Sequence, residues 1–398
     1  MISSTLKIIA ILFGIGSIAQ TNNEVYIMDF LLKDGSMKIS NFKNISNAPG
    51  YDSQPSFYDL NNIIFSGTRD GNTDIRAYNM PSGQSWWLNL PTDGGEYSPM
   101  VIPGERNVSA VRLDADGLQR LYRYPMPEKP SELMIEGLQV AYYNYASKDV
   151  LIASVLSGSQ LDLVRHDFTT NRTDTLLTHA GRSIHRVPDS EFMSYTSQNE
   201  DKNWDIYQLD IKTGESFFVA QLPVGIQDHI WLDDSKLLCG SGAKLYLYDF
   251  FGSANWVETA DLSIHKLKDI TRLALSLDGK KITLVAESLA ETPVQVVQRQ
   301  LERYNARDLE GFLATYSEDI ELYNFPDIQI STGRDALRKN YSSFFDETPD
   351  LHCEIKNRIT IGNKVIDEEY ITMNGQHFSA IAIYEVNNGE ITKVTFVR

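Results

Sequence analysis

The chain has 398 residues, too many for one typical domain and enough for two with separate cores. Its 53 acidic and 36 basic side chains leave a formal net charge of −17. That balance argues against nucleic acid as a partner, since phosphate binding needs a basic surface, and against anionic membrane surfaces. Hydrophobic content of 42% is sufficient for packed cores.

Residues 1–19 read as a secretory signal. Lys7 is the lone positive side chain, 8–18 is an apolar run, and Ser17-Ile18-Ala19 offers small residues for cleavage. The run is too short for an ordinary membrane span, and no cysteine follows it to carry a lipid. The expectation is a secreted or periplasmic protein, with a retained N-terminal anchor as the alternative. No membrane span is expected after removal of the signal.

The next 270 or so residues are organised by a repeat. The stretch WDIYQLDIKTG at 204–214 is an alternating strand that ends in a polar turn. Its copies end at Asp29, Asn79, Pro125, Asp167, Asp210 and Asp249, in steps of 50, 46, 42, 43 and 39. A strand-type repeat with a period near 44 marks a β-propeller, one blade per copy. A second series of short apolar runs begins at Ile63, Val108, Val150, Phe192, Lys236 and Lys281. The copy at Val25 has no such run before it, and the run at Lys281 has no copy after it. The two halves therefore belong to one blade, and the N-terminal strands close a six-bladed ring against the C-terminal ones, which removes exposed sheet edges. Asp70, Asn72 and Asp74 lack the rest of a calcium loop and read as solvated turn residues. Cys239 and Cys353 stand in different predicted domains and read as buried free thiols, with a disulfide as the alternative in an oxidising compartment; no structural zinc site is indicated.

Trp204-Asp205-Ile206-Tyr207-Gln208-Leu209-Asp210 and Val25-Tyr26-Ile27-Met28-Asp29 resemble the DIYxMDxDG strand of TolB-like propeller repeats, over residues 23–290. The resemblance speaks for fold, because propellers host binding, scaffolding and several chemistries.

Near residue 290 the pattern changes. Thr292-Pro293 is an N-cap with proline at the first helical position. Val294, Val297, Leu301 and Tyr304 follow at helical spacing. Asp308 opens a short second helix, 320–323 reads as a strand, and 334–345 reads as a third helix. Strands at 351–361, 364–373, 376–386 and 390–398 are joined by Gly362-Asn363, Asn374-Gly375 and Asn388-Gly389, which favour two-residue hairpin turns. This opening, with Gly333-Arg334-Asp335-Ala336-Leu337 and the last strand, resembles the nuclear transport factor 2-like superfamily. More narrowly it is similar to SnoaL-like and ketosteroid-isomerase-like proteins, over residues 291–398. The fold class is then mainly β: a six-bladed β-propeller followed by an α+β cone of nuclear transport factor 2-like type.

The resemblance implies a largely apolar pocket in the second domain. The isomerases carry a tyrosine on the first helix, an aspartate base after the first strand and a protonated aspartic acid on a later strand. Those positions hold Gln300, Asn324 and Ala382 here, so proton abstraction by that route is not expected. The hairpin register offers another pair. A two-residue turn at Asn374-Gly375 sets Asp367 opposite Ala382 and Glu369 opposite Ala380. Their face also carries Ile371, Phe378 and Tyr384, and the pocket list is completed by Gln300, Tyr304, Asn324 and Tyr341. Two carboxylates on an apolar face repel and one pKa rises, which makes Asp367 and Glu369 candidates for acid–base work. The alternatives are a register slip that exposes both, or ion pairs with Arg358 or Lys364. His352 and His377 stand alone. No cofactor is indicated, and no GxSxG, phosphate-loop or HExxH pattern occurs.

These features point to an exported binding or scaffold protein. The propeller would take a protein, peptide or glycan. The second domain would take a small hydrophobic ligand or, as the resemblance implies, form a homodimer through its sheet. The alternative is an isomerase-, lyase- or hydrolase-type enzyme using the two acids.

Overall fold

The structure is a computed structural model that describes residues 23–47, 50–126, 129–289, 291–387 and 389–397. The expected signal segment lies outside the described residues. Among the described residues no helix is long and apolar enough to cross a membrane. The chain divides into two compact units, Met1–Ser288 and Leu289–Arg398.

Among the described residues, the first unit is built of six four-stranded antiparallel sheets. Five are consecutive in sequence, and their first strands are Ser53–Phe57, Gly95–Val101, Val140–Tyr145, Ala180–Arg186 and Ile230–Trp231. The sixth begins with Leu267–Leu275 and Lys281–Ser288, and is completed by Asn23–Lys33 and Ser36–Asn44 from the other end of the sequence. Val25 stands opposite Val285 and Ile27 opposite Thr283 in that joint sheet, the pairing the unmatched half-repeats required.

Second strands such as Asn62–Arg69 and Val150–Ser157 are buried on both faces, which is why they read as continuous apolar runs. Asp34-Gly35 and Asp70-Gly71 take positive φ at both positions and close two-residue hairpins, a geometry Gly and Asp tolerate.

The core of this unit consists of six apolar clusters, each shared by two sheets. Ile64 and Ile75 of the first sheet pack with Val108 and Tyr124 of the second. The last cluster of the series sets Val25, Ile27 and Val285 of the sixth sheet against Phe57, Ile63 and Phe65 of the first. Asp70 and Asn72 are exposed at the turn as expected, and only Asp74 departs from the reading as a solvated residue. Asp74 is 2% exposed and accepts a hydrogen bond from Asn89 at 2.8 Å, because the strand turns it inward.

The second unit starts with helix α1, Pro293–Ala306. Thr292 caps it, and its side chain and that of Gln295 form a reciprocal capping box. Helix α2, Leu309–Leu313, is capped by Asp308, and helix α3 covers Arg334–Glu347. One six-stranded sheet packs with them, in the order Ile328–Thr332, Tyr316–Asn324, Glu390–Val397, Gln376–Asn387, Lys364–Met373, His352–Ile361. The Asn374-Gly375 turn has φ of 50° and 72°, and Met373 opposes Gln376 as the dipeptide suggests.

Three features differ from the sequence reading. The strand expected at 320–323 extends over Tyr316–Asn324. The strand Ile328–Thr332 was not anticipated, since this edge strand has no buried face to impress an alternation on the sequence. Tyr316–Asn324 also pairs in parallel with Glu390–Val397, a contact between distant segments that no local pattern encodes. Both cysteines are buried and free.

Candidate functional site

The hairpin brings both acids to the inner face of the sheet. Asp367 opposes Ala382, Glu369 opposes Ala380, and all four are buried. Asp367 is 1% exposed and is held by Arg358 through two parallel bonds, Nε to Oδ1 at 2.6 Å and Nη2 to Oδ2 at 2.7 Å. Arg358 lies opposite Asp367 on the neighbouring strand, and its Nη1 donates to Gln298 of α1 at 3.0 Å. The bonds to Asp367 outweigh burial and raise the guanidinium pKa. Of the two cations considered from sequence, Lys364 goes elsewhere, to Glu385 at 2.7 Å. Asp367 is thus a neutralised structural acid, with both oxygens engaged.

Glu369 accepts from the Tyr384 hydroxyl at 2.9 Å. Burial, and after it the charge of Glu369, holds the Tyr384 phenol well above its ordinary pKa, so Tyr384 remains a donor. Tyr316 adds a second buried phenol, likewise raised by burial and hydrogen-bonded to Gln300 of α1. Gln300, which replaces the isomerase tyrosine, therefore serves as a hydrogen-bond partner within the core.

The remaining pocket candidates separate into two groups. Tyr304 and Tyr341 stack into an aromatic cluster with Phe312 and Phe345; the Phe312–Tyr341 centroids are 4.6 Å apart and Tyr304–Phe345 5.7 Å. These rings come from the three helices and pack into the core of the unit, with Tyr304 and Tyr341 half-buried. Phe378, by contrast, is 38% exposed although its strand partner Ile371 is buried, because the pair lies two rungs from the hairpin tip. Asn324 ends its strand half-buried beside Ile328 and Phe396, eight residues from Tyr316, and among the described residues no hydrogen bond joins it to the acids. Neither Phe378 nor Asn324 belongs to the acid cluster. His377 is exposed, stacked on Tyr370 and bonded to Thr372.

The first unit holds a cavity of about 510 Å³. The first strand of every sheet contributes to its wall. Gln54, Ser98, Tyr142, Arg182, Asp228 and Arg272 all line it, and they follow one another in steps of 44, 44, 40, 46 and 44 residues. They are the same position in six repeats. That spacing was available in the sequence, but the strand copies used to define the repeat lie on other strands, and the polar inner position went unread.

Asp228 is 8% exposed and bridges two guanidiniums. Its Oδ1 accepts from Arg272 Nη1 at 2.5 Å and its Oδ2 from Arg182 Nη2. Arg272 lies 5.4 Å over the Tyr142 ring. Burial opposes the charge of Arg272, but Asp228 and the nearby phenols outweigh it and raise its pKa. Beside them His185 and His229 stand with ring centroids 4.9 Å apart, and the Ser183 hydroxyl lies within 3.1 Å of a nitrogen of each. Burial pushes His185 down to about 4, and burial followed by His185 pushes His229 well down, so both imidazoles are neutral at ordinary pH. Among the described residues no group of His, Cys, Asp and Glu is placed to hold a metal ion.

Residues 297–394 match the model of the SnoaL-like domain. Residues 297–394 of the second unit are thus a SnoaL-like domain. Solved structures similar to it include a cystatin-fold protein from Novosphingobium aromaticivorans, with 20% identity over 27% of this chain and 100% of that one, TM-score 0.26. A nuclear transport factor 2-like protein of unknown function from Cytophaga hutchinsonii has 18% identity over 26% of this chain and 88% of that one, TM-score 0.24. Another from Burkholderia xenovorans has 21% identity over 26% and 80%, TM-score 0.24. No curated protein matches the sequence.

Proposed function

We propose that this chain is an exported, non-catalytic binding protein whose ligand site is the inner cavity of the first unit. In this reading the first unit is a six-bladed TolB-like propeller. Support comes from the sheet shared by both ends of the repeat region and from the cluster that joins the sixth sheet to the first. Export rests on the character of residues 1–19. The observation that carries the binding function is the 510 Å³ cavity with polar and charged side chains at one repeat position, a size and lining suited to a small ligand or a peptide end.

Catalysis in the SnoaL-like domain is the weaker reading. Asp367 is already held by Arg358 and Glu369 by Tyr384, and Tyr341 packs on Phe312 in the core. This domain serves instead for self-association. The outer face of its sheet carries Ile359, Ile361 and Ile381, which are 50%, 68% and 40% exposed, with Ile366 and Ile383 between them on the same face.

A thermal-shift panel of short peptides, oligosaccharides and small hydrophobic compounds tests the reading on the full chain. A ligand at a hundredfold its Kd adds about 2.7 kcal/mol. Leu275→Trp, in the cavity wall, should abolish the shift, and Asp367→Asn with Glu369→Gln should keep it. Turnover of any compound that disappears with the two acids would return the function to the SnoaL-like domain. Ile361→Lys should convert a dimer to a monomer in light scattering; an unchanged mass would remove the dimer role.

A further inference from the structure

The cavity wall carries an unbalanced charge. Two guanidiniums, Arg182 and Arg272, share one carboxylate, Asp228, and each Asp228 oxygen is taken by one of them. The cluster therefore keeps one net positive charge. The other charged residues of the wall, Arg186 and Asp189, are both exposed and cancel. The two neutral histidines add none. A buried or half-buried charge without a counter-ion is costly, and its cost falls when an anion enters.

Donors are unused as well. Arg182 Nε is shut off from solvent without an acceptor. Among the described residues, Arg182 Nη1 and Arg272 Nε and Nη2 also have no hydrogen-bond acceptor. The Tyr142 ring fixes Arg272 in place, so the fork is oriented before any ligand arrives. Around the cluster the wall is mainly apolar, with Pro99, Met100, Leu273 and Leu275 among its residues. Guanidinium donors in a mainly apolar chamber match an anion with an apolar body, and a planar carboxylate fits their fork.

We propose that the cavity binds an organic carboxylate, with its head on Arg182 and Arg272 and its apolar body against the surrounding wall. The inference rests on the cavity being the ligand site. Asp228 then has two roles: it spaces the two arginines, and it competes with the ligand for them. The net charge of −17 works against any anion at long range, so selectivity resides in the local pair of guanidiniums.

Calorimetric titration of the full chain decides it, with two matched probe pairs: decanoate against decanol, and N-acetyl-leucyl-phenylalanine against its C-terminal amide. The carboxylates should bind at least about tenfold tighter than their neutral partners, the scale of a lost charge-assisted bond. Whichever acid binds better assigns the source, a free organic acid or a peptide C-terminus. Arg182→Gln, which leaves Asp228 with Arg272, should remove the preference. Asp228→Asn should tighten carboxylate binding several-fold, an effect a merely structural ion cluster would not produce. Equal affinity of acid and neutral probes, both lost in Leu275→Trp, would overturn the carboxylate assignment and leave the cavity as the ligand site. Absence of binding by all four probes, or a preference unchanged in Arg182→Gln, would overturn the assignment too.

Discussion

Replacing Arg358 by Leu is the most direct test of the structural role given to Asp367. The substitution strips two hydrogen bonds, of 2.6 and 2.7 Å, from a carboxylate that is 1% exposed. Breaking a buried pair from one side costs about 3–5 kcal/mol, because the remaining charge is left without partner or water. For a unit the size of Leu289–Arg398, each kcal/mol moves Tm by about 4–8 °C, so a loss of at least about 12 °C is expected. The double variant Arg358→Leu/Asp367→Leu removes both charges and should recover most of that loss. The single variant should also be more stable at pH 5 than at pH 7. An unpaired buried Asp has a folded pKa above its unfolded value, so stability is present at low pH and lost as pH rises through the folded pKa. The two units are separable by probe. All five tryptophans, Trp86, Trp87, Trp204, Trp231 and Trp256, belong to the first unit and follow it by emission, while amide exchange in α1 follows the second. A loss below about 1 kcal/mol, or a double variant no better than the single, would refute the structural assignment of Asp367.

Glu96 is buried, accepts from Thr92 at 2.7 Å and Tyr124 at 3.0 Å, and is pushed up by burial to about 7. Its folded pKa lies above the unfolded one, so its contribution is full below about pH 4.5 and lost as pH rises through 7. Glu96→Gln should flatten that slope and gain about 1–3 kcal/mol at pH 8 in urea unfolding. His185 has the opposite sign: its folded pKa is depressed to about 4, so stability present above pH 6.5 is lost as pH falls toward 4, and His185→Gln should remove that part of a Tm–pH profile. Gly240→Ala would set a methyl 2.3 Å from Ile270 Cγ2, and a loss of about 1–3 kcal/mol in the first unit's tryptophan-monitored unfolding is expected.

Much of this molecule was legible one residue at a time. The strand repeat, the dipeptide turn at Asn374-Gly375 and the Thr292-Pro293 cap are local choices, and a backbone with two soft dihedrals per residue answers to local chemistry. Even the partner of the unmatched strand at Val25 followed from counting half-repeats. The pairing of Asp367 with Ala382 followed from a turn of fixed length. What local pattern could not decide was where each polar side chain spends its charge. Asp367 had two candidate cations, and only the strand beside it selects Arg358 over Lys364. The edge strand Ile328–Thr332 and the parallel contact between Tyr316–Asn324 and Glu390–Val397 depend on segments far apart in sequence. Arg182, Asp228 and Arg272 are separated by 46 and 44 residues, a spacing that places them at one repeat position but does not say that their charges meet. Hydrophobic periodicity and turn chemistry are encoded within a few residues; the balance of charge inside a cavity is a property of side chains that only the fold brings within hydrogen-bonding distance.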